Sequence, residues 1–246
     1  MQKRNVVLFD MDHTLVSANT VALWGEYLDQ KGMVTEEEHA RWNQFHADYI
    51  VGQLDVIASY EFELTMIKKI PAHLRQAWLE DFFNQLIKPK ISSTGLRLIQ
   101  EYKQQPDTLV ILITATLAYI ATTVASHAGV HHLIATEPQI ADGEFTGKLA
   151  GVASIGPGKA LRFQQWIKAN NIVPTYTILY SDSINDLPLL SQVDKPIAVD
   201  PDINLKQIAL DKNWDIISLK DSNADREKIT IVPLTHSPSL TEGSPL

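Results

Sequence analysis

Cysteine is absent from the 246 residues of this chain. Its absence excludes disulfide bonds, thiolate nucleophiles and cysteine-ligated zinc. The chain also has no run rich in lysine or arginine, and its formal net charge is -8. Nucleic acids and anionic membranes select a clustered basic surface, so neither is expected as a partner.

Long hydrophobic runs are missing as well. No segment approaches the ~20 apolar residues that a membrane span requires. The first five residues carry the charge of a secretory leader, but the apolar run that follows, Val6–Phe9, already ends at Asp10. We therefore expect a cytoplasmic protein. Hydrophobic residues make up 45% of the chain and charged residues 20%, which is typical of a folded protein with a buried core.

Four short apolar runs recur along the chain and are rich in β-branched residues. They lie at Val6–Phe9, Leu109–Ile113, Thr177–Tyr180 and Pro196–Val199, and amphipathic stretches such as Gly158–Ala169 separate them. Strands that are apolar on both faces are typical of a parallel sheet covered by helices on each side. The pattern predicts an α/β fold with a doubly wound, Rossmann-like parallel sheet.

Residues 17–89 contain no strand-like run and carry aromatic and aliphatic residues at three- and four-residue spacing. This spacing predicts an inserted helical cap domain. We expect the α/β core to comprise residues 1–16 and 90–220, and a polar C-terminal extension to cover residues 221–246. Four aromatic residues of the insert are interpreted as packing residues and not as a stacking platform: Trp24, Trp42, Phe45 and Trp78.

Two smaller features follow the second apolar run. Asp142-Gly143, flanked by alternating apolar residues within Gln139–Gly147, predicts a β-hairpin. Three histidines of the same region are interpreted as surface or partly buried residues and not as metal ligands: His127, His131 and His132.

The most specific signal is Asp10-Met11-Asp12-His13-Thr14-Leu15, which directly follows the first apolar run. If the chain turns there, both carboxylates can face one pocket. Taken alone, such a pair is usually a solvated acidic loop, but the buried-strand context and three later motifs favour a site. The later motifs are Thr114 with Thr116 after the second run, Lys159 in Gly156-Pro157-Gly158-Lys159, and Ser181-Asp182-Ser183-Ile184-Asn185-Asp186 after the third.

These polar residues fall at the carboxyl ends of predicted strands, where ligands gather in open parallel sheets. Lys159 opens a helix behind two glycines, which favours an anion. Thr114 can donate a hydrogen bond to that anion or cap a helix. Four carboxylates are predicted to meet at this edge: Asp10, Asp12, Asp182 and Asp186. They would repel one another unless a hard cation lay among them, and Mg²⁺ prefers a few carboxylate oxygens.

In these motifs and their order, the chain resembles the haloacid dehalogenase superfamily, and within it the phosphoserine-phosphatase-like branch (subfamily IB) with a helical cap of the C1 type. The match covers about Val6 to Leu219, with Ser181 where the family usually has glycine. The resemblance implies a Mg²⁺-dependent phosphatase that hydrolyses a small phosphate monoester through an aspartyl-phosphate intermediate. It also leads us to expect a monomer or a homodimer.

The resemblance implies a role for each motif residue. Asp10 would be the nucleophile, and Asp12 would act as general acid and then general base. Mg²⁺ would be held by the carboxylates of Asp10 and Asp182 and by the carbonyl of Asp12, with the carboxylate of Asp186 behind it. Three further residues would bind the phosphate: Thr114, Lys159 and Asn185.

Two positions of the insert bear on the leaving group. Phosphoserine phosphatases have an acidic residue where this chain has Asn19, and an ungapped count places Glu61 where they have an arginine that meets the substrate carboxylate. A carboxylate beside Glu61 would be repelled. We therefore expect a phosphate monoester without that carboxylate, with an amine, as in histidinol phosphate or phosphoethanolamine. The alternative is that Glu61 is a solvated helix residue and another group contacts the substrate.

Three other functions stay open at this point. One is a phosphoserine phosphatase, and another is a phosphotransferase of the same family, because acceptor choice depends on how the cap admits water. The third is a non-catalytic phospho-aspartate switch, which such an insert and Asp12 disfavour. Dehalogenation is disfavoured because Asp12 and Lys159 accompany the full set of magnesium-binding acids.

Overall fold

The structure is a computed structural model that describes residues 1–50, 52–221 and 231–234. Most of the predicted extension, residues 221–246, lies outside the described residues. The strands are β1 (Gln2–Phe9), β2 (Thr108–Leu117), β3 (His132–Thr136), β4 (Pro138–Ala141), β5 (Glu144–Leu149), β6 (Ile172–Ser181), β7 (Lys195–Val199) and β8 (Asp215–Ile217). The α-helices are α1 (Thr20–Gln30), α2 (Glu36–Ile50), α3 (Val56–Lys69), α4 (Ala72–Phe82), α5 (Ser93–Lys103), α6 (Ala118–Ala128), α7 (Pro157–Ala169), α8 (Leu187–Leu190) and α9 (Ile203–Asp211). Irregular helical turns cover Phe83–Ile87, Lys88–Lys90 and Ile184–Asp186.

The main sheet is parallel and has the strand order β3-β2-β1-β6-β7-β8. Its central strand β1 shows why helices cover both faces. Val6 and Leu8 belong to one buried apolar cluster, whereas Val7 and Phe9 belong to another, and all four side chains are fully buried. Because alternate side chains of a strand point to opposite faces, both faces of this sheet need an apolar cover. The predicted doubly wound α/β fold is confirmed.

Several strands differ from the sequence prediction: β1 and β6 begin earlier than their apolar runs, and β3 was not predicted. β2 continues four residues past the predicted end at Ile113, so Thr114 and Thr116 lie within the strand and not beyond it. β8 was not predicted because it is a short edge strand whose residues are mostly exposed. A strand of that kind lacks the continuous apolar run that identifies the buried ones.

Within the described residues between β1 and α5, the chain forms helices α1 to α4 and two irregular turns, and no named strand. Val16 pairs with Ile91 at the base of this segment, and the Ser17 amide donates to the Lys90 carbonyl at 2.9 Å. The chain therefore leaves and re-enters the core at neighbouring points. This arrangement supports the division at residues 16 and 90, which stays a prediction. No described helix is long and apolar enough to cross a membrane.

Several smaller predictions can be compared with the structure. Strands β4 and β5 form an antiparallel hairpin around Asp142 and Gly143, both of which have positive φ, so the predicted hairpin is confirmed. Trp24 is fully buried and stacks on Tyr27 at 5.6 Å, as a packing residue should. Three histidines are exposed or half-buried, as expected: His127, His131 and His132.

Candidate active site

Neighbouring strands place two acidic residues side by side. Asp10 follows β1 and Asp182 follows β6, and these strands pair in parallel with Phe9 opposite Tyr180. The Asp10 amide donates to the Tyr180 carbonyl at 2.9 Å, which extends that pairing by one residue. Because the carboxyl ends of parallel strands meet at one edge, both carboxyl groups face the same space.

Lys159 lies in the first turn of α7 and joins two carboxylates. Its ammonium donates to Asp10 Oδ1 at 2.8 Å and to Asp186 Oδ2 at 2.6 Å, and only 2% of the residue is exposed. Gly158 permits this placement, since a Cβ atom there would lie 2.1 Å from the Ala153 carbonyl oxygen. The close approach of backbone to backbone explains why glycine precedes the lysine.

The charges of this cluster do not balance. Burial raises the pKa of Asp10, while the Lys159 ammonium lowers it and Asp186 raises it. Burial, then Asp10 and then Asp186 raise the pKa of Asp182. Burial lowers the pKa of Lys159, but the two carboxylates outweigh burial and the pKa is raised overall. One ammonium thus faces three acidic groups at the edge of the sheet.

Asp12 is held by hydroxyl groups and not by a cation. Its carboxylate accepts hydrogen bonds from the Thr20 amide at 3.2 Å, the Thr20 hydroxyl at 3.1 Å and the Thr116 hydroxyl at 3.0 Å. Burial raises the pKa of Asp12 to about 7, although the bonds from Thr20 and Thr116 oppose the shift. A carboxyl group with that pKa can carry a proton near neutral pH, which a general acid requires.

The predicted phosphate-binding residues lie next to these acids. Thr114 is buried, and its hydroxyl oxygen accepts from the Thr116 amide at 3.1 Å. It does not cap α6, whose N-cap is Leu117. The Asn185 amide group donates to the Tyr49 hydroxyl of α2 at 3.0 Å. This bond links the helical insert to the loop after β6.

These groups line a cavity of about 440 Å³. Its described lining includes eight of the nine predicted site residues: Asp10, Asp12, Asn19, Thr114, Lys159, Asp182, Asn185 and Asp186. The side-chain oxygen of Asn19 also caps α1 by accepting from the Ala22 amide at 3.0 Å. The structure therefore brings the predicted residues of core and insert to one place.

The ninth predicted residue, Glu61, needs correction. Glu61 is partly buried but does not line the cavity, whereas Glu63 on the same helix does and is only 3% exposed. Residues two apart on an α-helix are rotated by about 200° around its axis, so Glu61 points largely away from Glu63. The ungapped count identified the correct helix but not the face of that helix that lines the cavity.

Sequence reasoning also missed residues that contact the site from other elements. Thr20 holds Asp12 across eight positions, and Tyr49 reaches Asn185 from α2. Two residues interpreted as packing, Trp42 and Phe45, are partly buried and line the cavity as well. None of these lies in a motif, and aromatic residues at helical spacing carry no sign of which face lines a cavity.

The donors around Asp10 and Asp182 fit a magnesium ion. Within the described ranges, no group of three or more His, Cys, Asp or Glu residues is arranged to hold a metal ion. Mg²⁺ does not need such a cage, because it binds through one or two carboxylates and keeps several water molecules. The carboxyl groups of Asp10 and Asp182, which follow paired strands, could supply donors of this kind.

Comparisons with known proteins identify the family of this chain. A family model for haloacid dehalogenase-like hydrolases matches residues 7–191. A relative named histidinol-phosphatase, from Neisseria meningitidis serogroup C (strain 8013), is 33% identical over 222 residues, which cover 88% of this chain and 100% of the relative.

Two solved structures are similar as well. A crystal structure of a protein with unknown function from Bordetella pertussis Tohama I has a TM-score of 0.83 at 32% identity and covers 89% of this chain and 100% of that chain. A substrate-bound phosphoserine phosphatase has the same fold, with a TM-score of 0.61 at 19% identity, and covers 89% of this chain and 95% of that chain. The family match spans most of the sequence and includes all four polar motifs. The chain belongs to the haloacid dehalogenase-like hydrolase family.

Proposed function

We propose that this enzyme hydrolyses a small phosphate monoester in a Mg²⁺-dependent reaction, through a phosphorylated Asp10. At the coarser level it is a phosphoric monoester hydrolase. The observation that carries the proposal is the buried Lys159 ammonium between Asp10 and Asp186, beside Asp182. A positive group among carboxylates in a cavity can bind a phosphoryl group next to a nucleophile.

The reaction divides into two displacements. In the first, an oxygen of Asp10 attacks phosphorus, the bond to the leaving oxygen breaks, and Asp12 gives that oxygen its proton. In the second, Asp12 takes a proton from water, the hydroxide attacks phosphorus, and the bond to Asp10 breaks to release phosphate. Thr114 and Lys159 hold the phosphoryl oxygens during both steps. The bonds from Thr20 and Thr116 keep the carboxyl group of Asp12 in place.

The proposed magnesium site uses the carboxylates of Asp10 and Asp182 and the carbonyl of Asp12. Bound Mg²⁺ would neutralise charge on the phosphoryl oxygens. Asp186 accepts from Lys159 and from the Ser181 hydroxyl at 2.7 Å, which leaves it as a support behind the site. Serine at position 181, where the family usually has glycine, thus adds a hydrogen bond to this support.

We further propose that the substrate is an amino-alcohol phosphate such as histidinol phosphate. Among the described residues that line the cavity, Lys159 is the only lysine and there is no arginine. The other basic lining residues are three histidines, His13, His39 and His46, so a substrate carboxylate would meet no lysine or arginine that is free of a carboxylate partner, which disfavours phosphoserine. The relative named histidinol-phosphatase matches over its full length and supports the same substrate class.

A panel of phosphate esters tests the proposal. Histidinol phosphate, phosphoethanolamine, phosphoserine and p-nitrophenyl phosphate are assayed for phosphate release with Mg²⁺ and with excess EDTA. We expect Mg²⁺-dependent turnover that favours the amino-alcohol esters over phosphoserine. Asp10→Asn should lower turnover at least about a thousandfold, since it removes the nucleophile.

Asp142→Asn makes the same chemical change at an exposed hairpin turn and should retain full activity. Preference for phosphoserine would contradict the substrate class. Near-normal turnover by Asp10→Asn would contradict the nucleophile, and one phosphorylation without sustained phosphate release would favour a phospho-aspartate switch.

A further inference from the structure

Glu63 is a buried acidic side chain that forms no ion pair within the described residues. It lies on α3, lines the cavity and is 3% exposed. Its Oε1 atom accepts one hydrogen bond from the Tyr119 hydroxyl of α6, at 2.9 Å. In the described parts of the chain, no lysine, arginine or histidine forms an ion pair with it. A buried carboxylate without a cation is costly and is rarely kept without a role.

The surroundings of Glu63 identify what can match it. Lys159 is already engaged by Asp10 and Asp186. Burial raises the pKa of Glu63 to about 8, the bond from Tyr119 lowers it, and the charge of Asp12 raises it. Glu63 and Asp12, the group that would protonate the leaving oxygen, both line the cavity, so Glu63 can contact the leaving group.

The wall on this side is aromatic. Phe62 of α3 lies 5.6 Å, between ring centroids, from both Trp42 and Phe45 of α2, and all three line the cavity. Arg41 already lies over Phe45 and Phe62, at 5.5 and 5.4 Å from the ring centroids, so the remaining aromatic surface can contact a flat heterocycle. The cavity volume of about 440 Å³ lies within the range of typical ligand sites, so it can take a leaving group larger than ethanolamine.

We propose that Glu63, positioned by Tyr119, binds a cationic nitrogen of the leaving group and thereby selects amino-alcohol phosphates. This inference rests on the proposed phosphatase function and names the residue that sets its specificity. Tyr119 is a positioning residue, because its hydroxyl bonds to Glu63 and orients that carboxylate. The rival explanation is structural: the bond between Glu63 and Tyr119 merely fastens α3 to α6.

Kinetics on two substrate types separate these explanations. Glu63→Gln keeps the size of the side chain and an oxygen that can accept from Tyr119, but it cannot ionise when a cationic nitrogen binds. We expect the ratio of kcat/KM for histidinol phosphate to kcat/KM for p-nitrophenyl phosphate to fall at least about tenfold, mainly through KM, because a charge-assisted hydrogen bond is lost. Tyr119→Phe should lower the same ratio by a smaller factor.

Glu61→Gln is the matched control, since Glu61 lies on the same helix outside the cavity lining. Its ratio should equal that of the wild-type enzyme. An equal loss on both substrates in Glu63→Gln would indicate a structural role and overturn the inference. An unchanged ratio would overturn it too, while leaving the phosphatase function intact.

Binding without turnover completes the test. Histidinol phosphate is titrated by calorimetry into Asp10→Asn and into Asp10→Asn/Glu63→Gln, in the presence of Mg²⁺. The double variant should bind about tenfold or more weakly. Equal affinities would refute the role of Glu63. If the wild-type enzyme hydrolysed no phosphate ester, the proposed function would be refuted. The calorimetric comparison would still test whether Glu63 binds histidinol phosphate.

Discussion

Replacing Glu63 by glutamine should make the ligand-free enzyme more stable at neutral pH, although it should impair substrate selection. Burial raises the pKa of Glu63 from an ordinary value of 4.5 to about 8. Between these values the unfolded chain carries an ionised side chain while the folded chain keeps a proton on it. The unfolded state then binds fewer protons, so this residue makes stability fall as pH rises from 4.5 to 8.

The size of the effect follows from the same two values. Each pH unit above the unfolded pKa costs about 1.4 kcal/mol, so Glu63 lowers the free energy of unfolding by about 3 kcal/mol at pH 7. At pH 5 the cost is about 1 kcal/mol. Glutamine removes this cost but buries an amide nitrogen, for which we subtract about 1 kcal/mol. Glu63→Gln should therefore match the wild type at pH 5 and exceed it by about 2 kcal/mol at pH 7.

Urea unfolding without Mg²⁺ or substrate measures this difference, because bound ligands would add their own stabilisation. At pH 7, a gain of about 2 kcal/mol in Glu63→Gln should raise Tm by about 4–8 °C in a chain of this size. Glu61→Gln serves as control and should show the same small difference from the wild type at both pH values. The reasoning is refuted if Glu63→Gln differs from the wild type by the same amount at pH 5 and pH 7, or is less stable at pH 7.

Two further substitutions test other contacts of the site. Lys159→Gln leaves Asp10 and Asp186 without their ammonium, so kcat/KM for p-nitrophenyl phosphate should fall at least about a hundredfold. Urea unfolding of this variant should show a loss of stability of about 3 kcal/mol. If the variant kept wild-type kinetics, Lys159 would not bind the phosphoryl group. Tyr49→Phe removes the 3.0 Å bond from Asn185 and should raise KM about three- to tenfold with little change in kcat. Asn185→Ala/Tyr49→Phe should then lose no more than Asn185→Ala alone, and additive losses would contradict a shared contact.

Motif reasoning brought the candidate site residues to one cavity because most of them are fixed by strand ends. Asp10 and Asp182 each follow an apolar run that can only be a buried strand, and parallel strands bring such positions together without further information. Lys159 follows a glycine that the backbone requires at that point. These placements depend on local sequence and on a general property of parallel sheets, so they could be predicted from the sequence.

Residues on the inserted helices could not be assigned in this way. Counting along the chain reached α3 but selected Glu61, since a helix rotates by about 100° per residue and an error of two positions turns the side chain away. Glu63 contacts Tyr119, which is 56 positions distant in the sequence. Which face of α3 lines the cavity depends on how the insert docks, and that is a property of tertiary packing.

In the proposed function the core and the insert would contribute opposite charge preferences to one cavity. The core supplies Lys159, whose ammonium is already paired with the carboxylates of Asp10 and Asp186. It would bind a phosphoryl group that lies beside these carboxylates or replaces one of them. The insert supplies Glu63, which has no cationic partner in the described chain, and the aromatic residues around it. Because these groups stand on separate elements, substitutions on the inner face of α3 can change the leaving group without altering the strand ends that transfer phosphate. In the proposed function the motifs encode the reaction type, whereas the face of α3 that lines the cavity would encode the substrate.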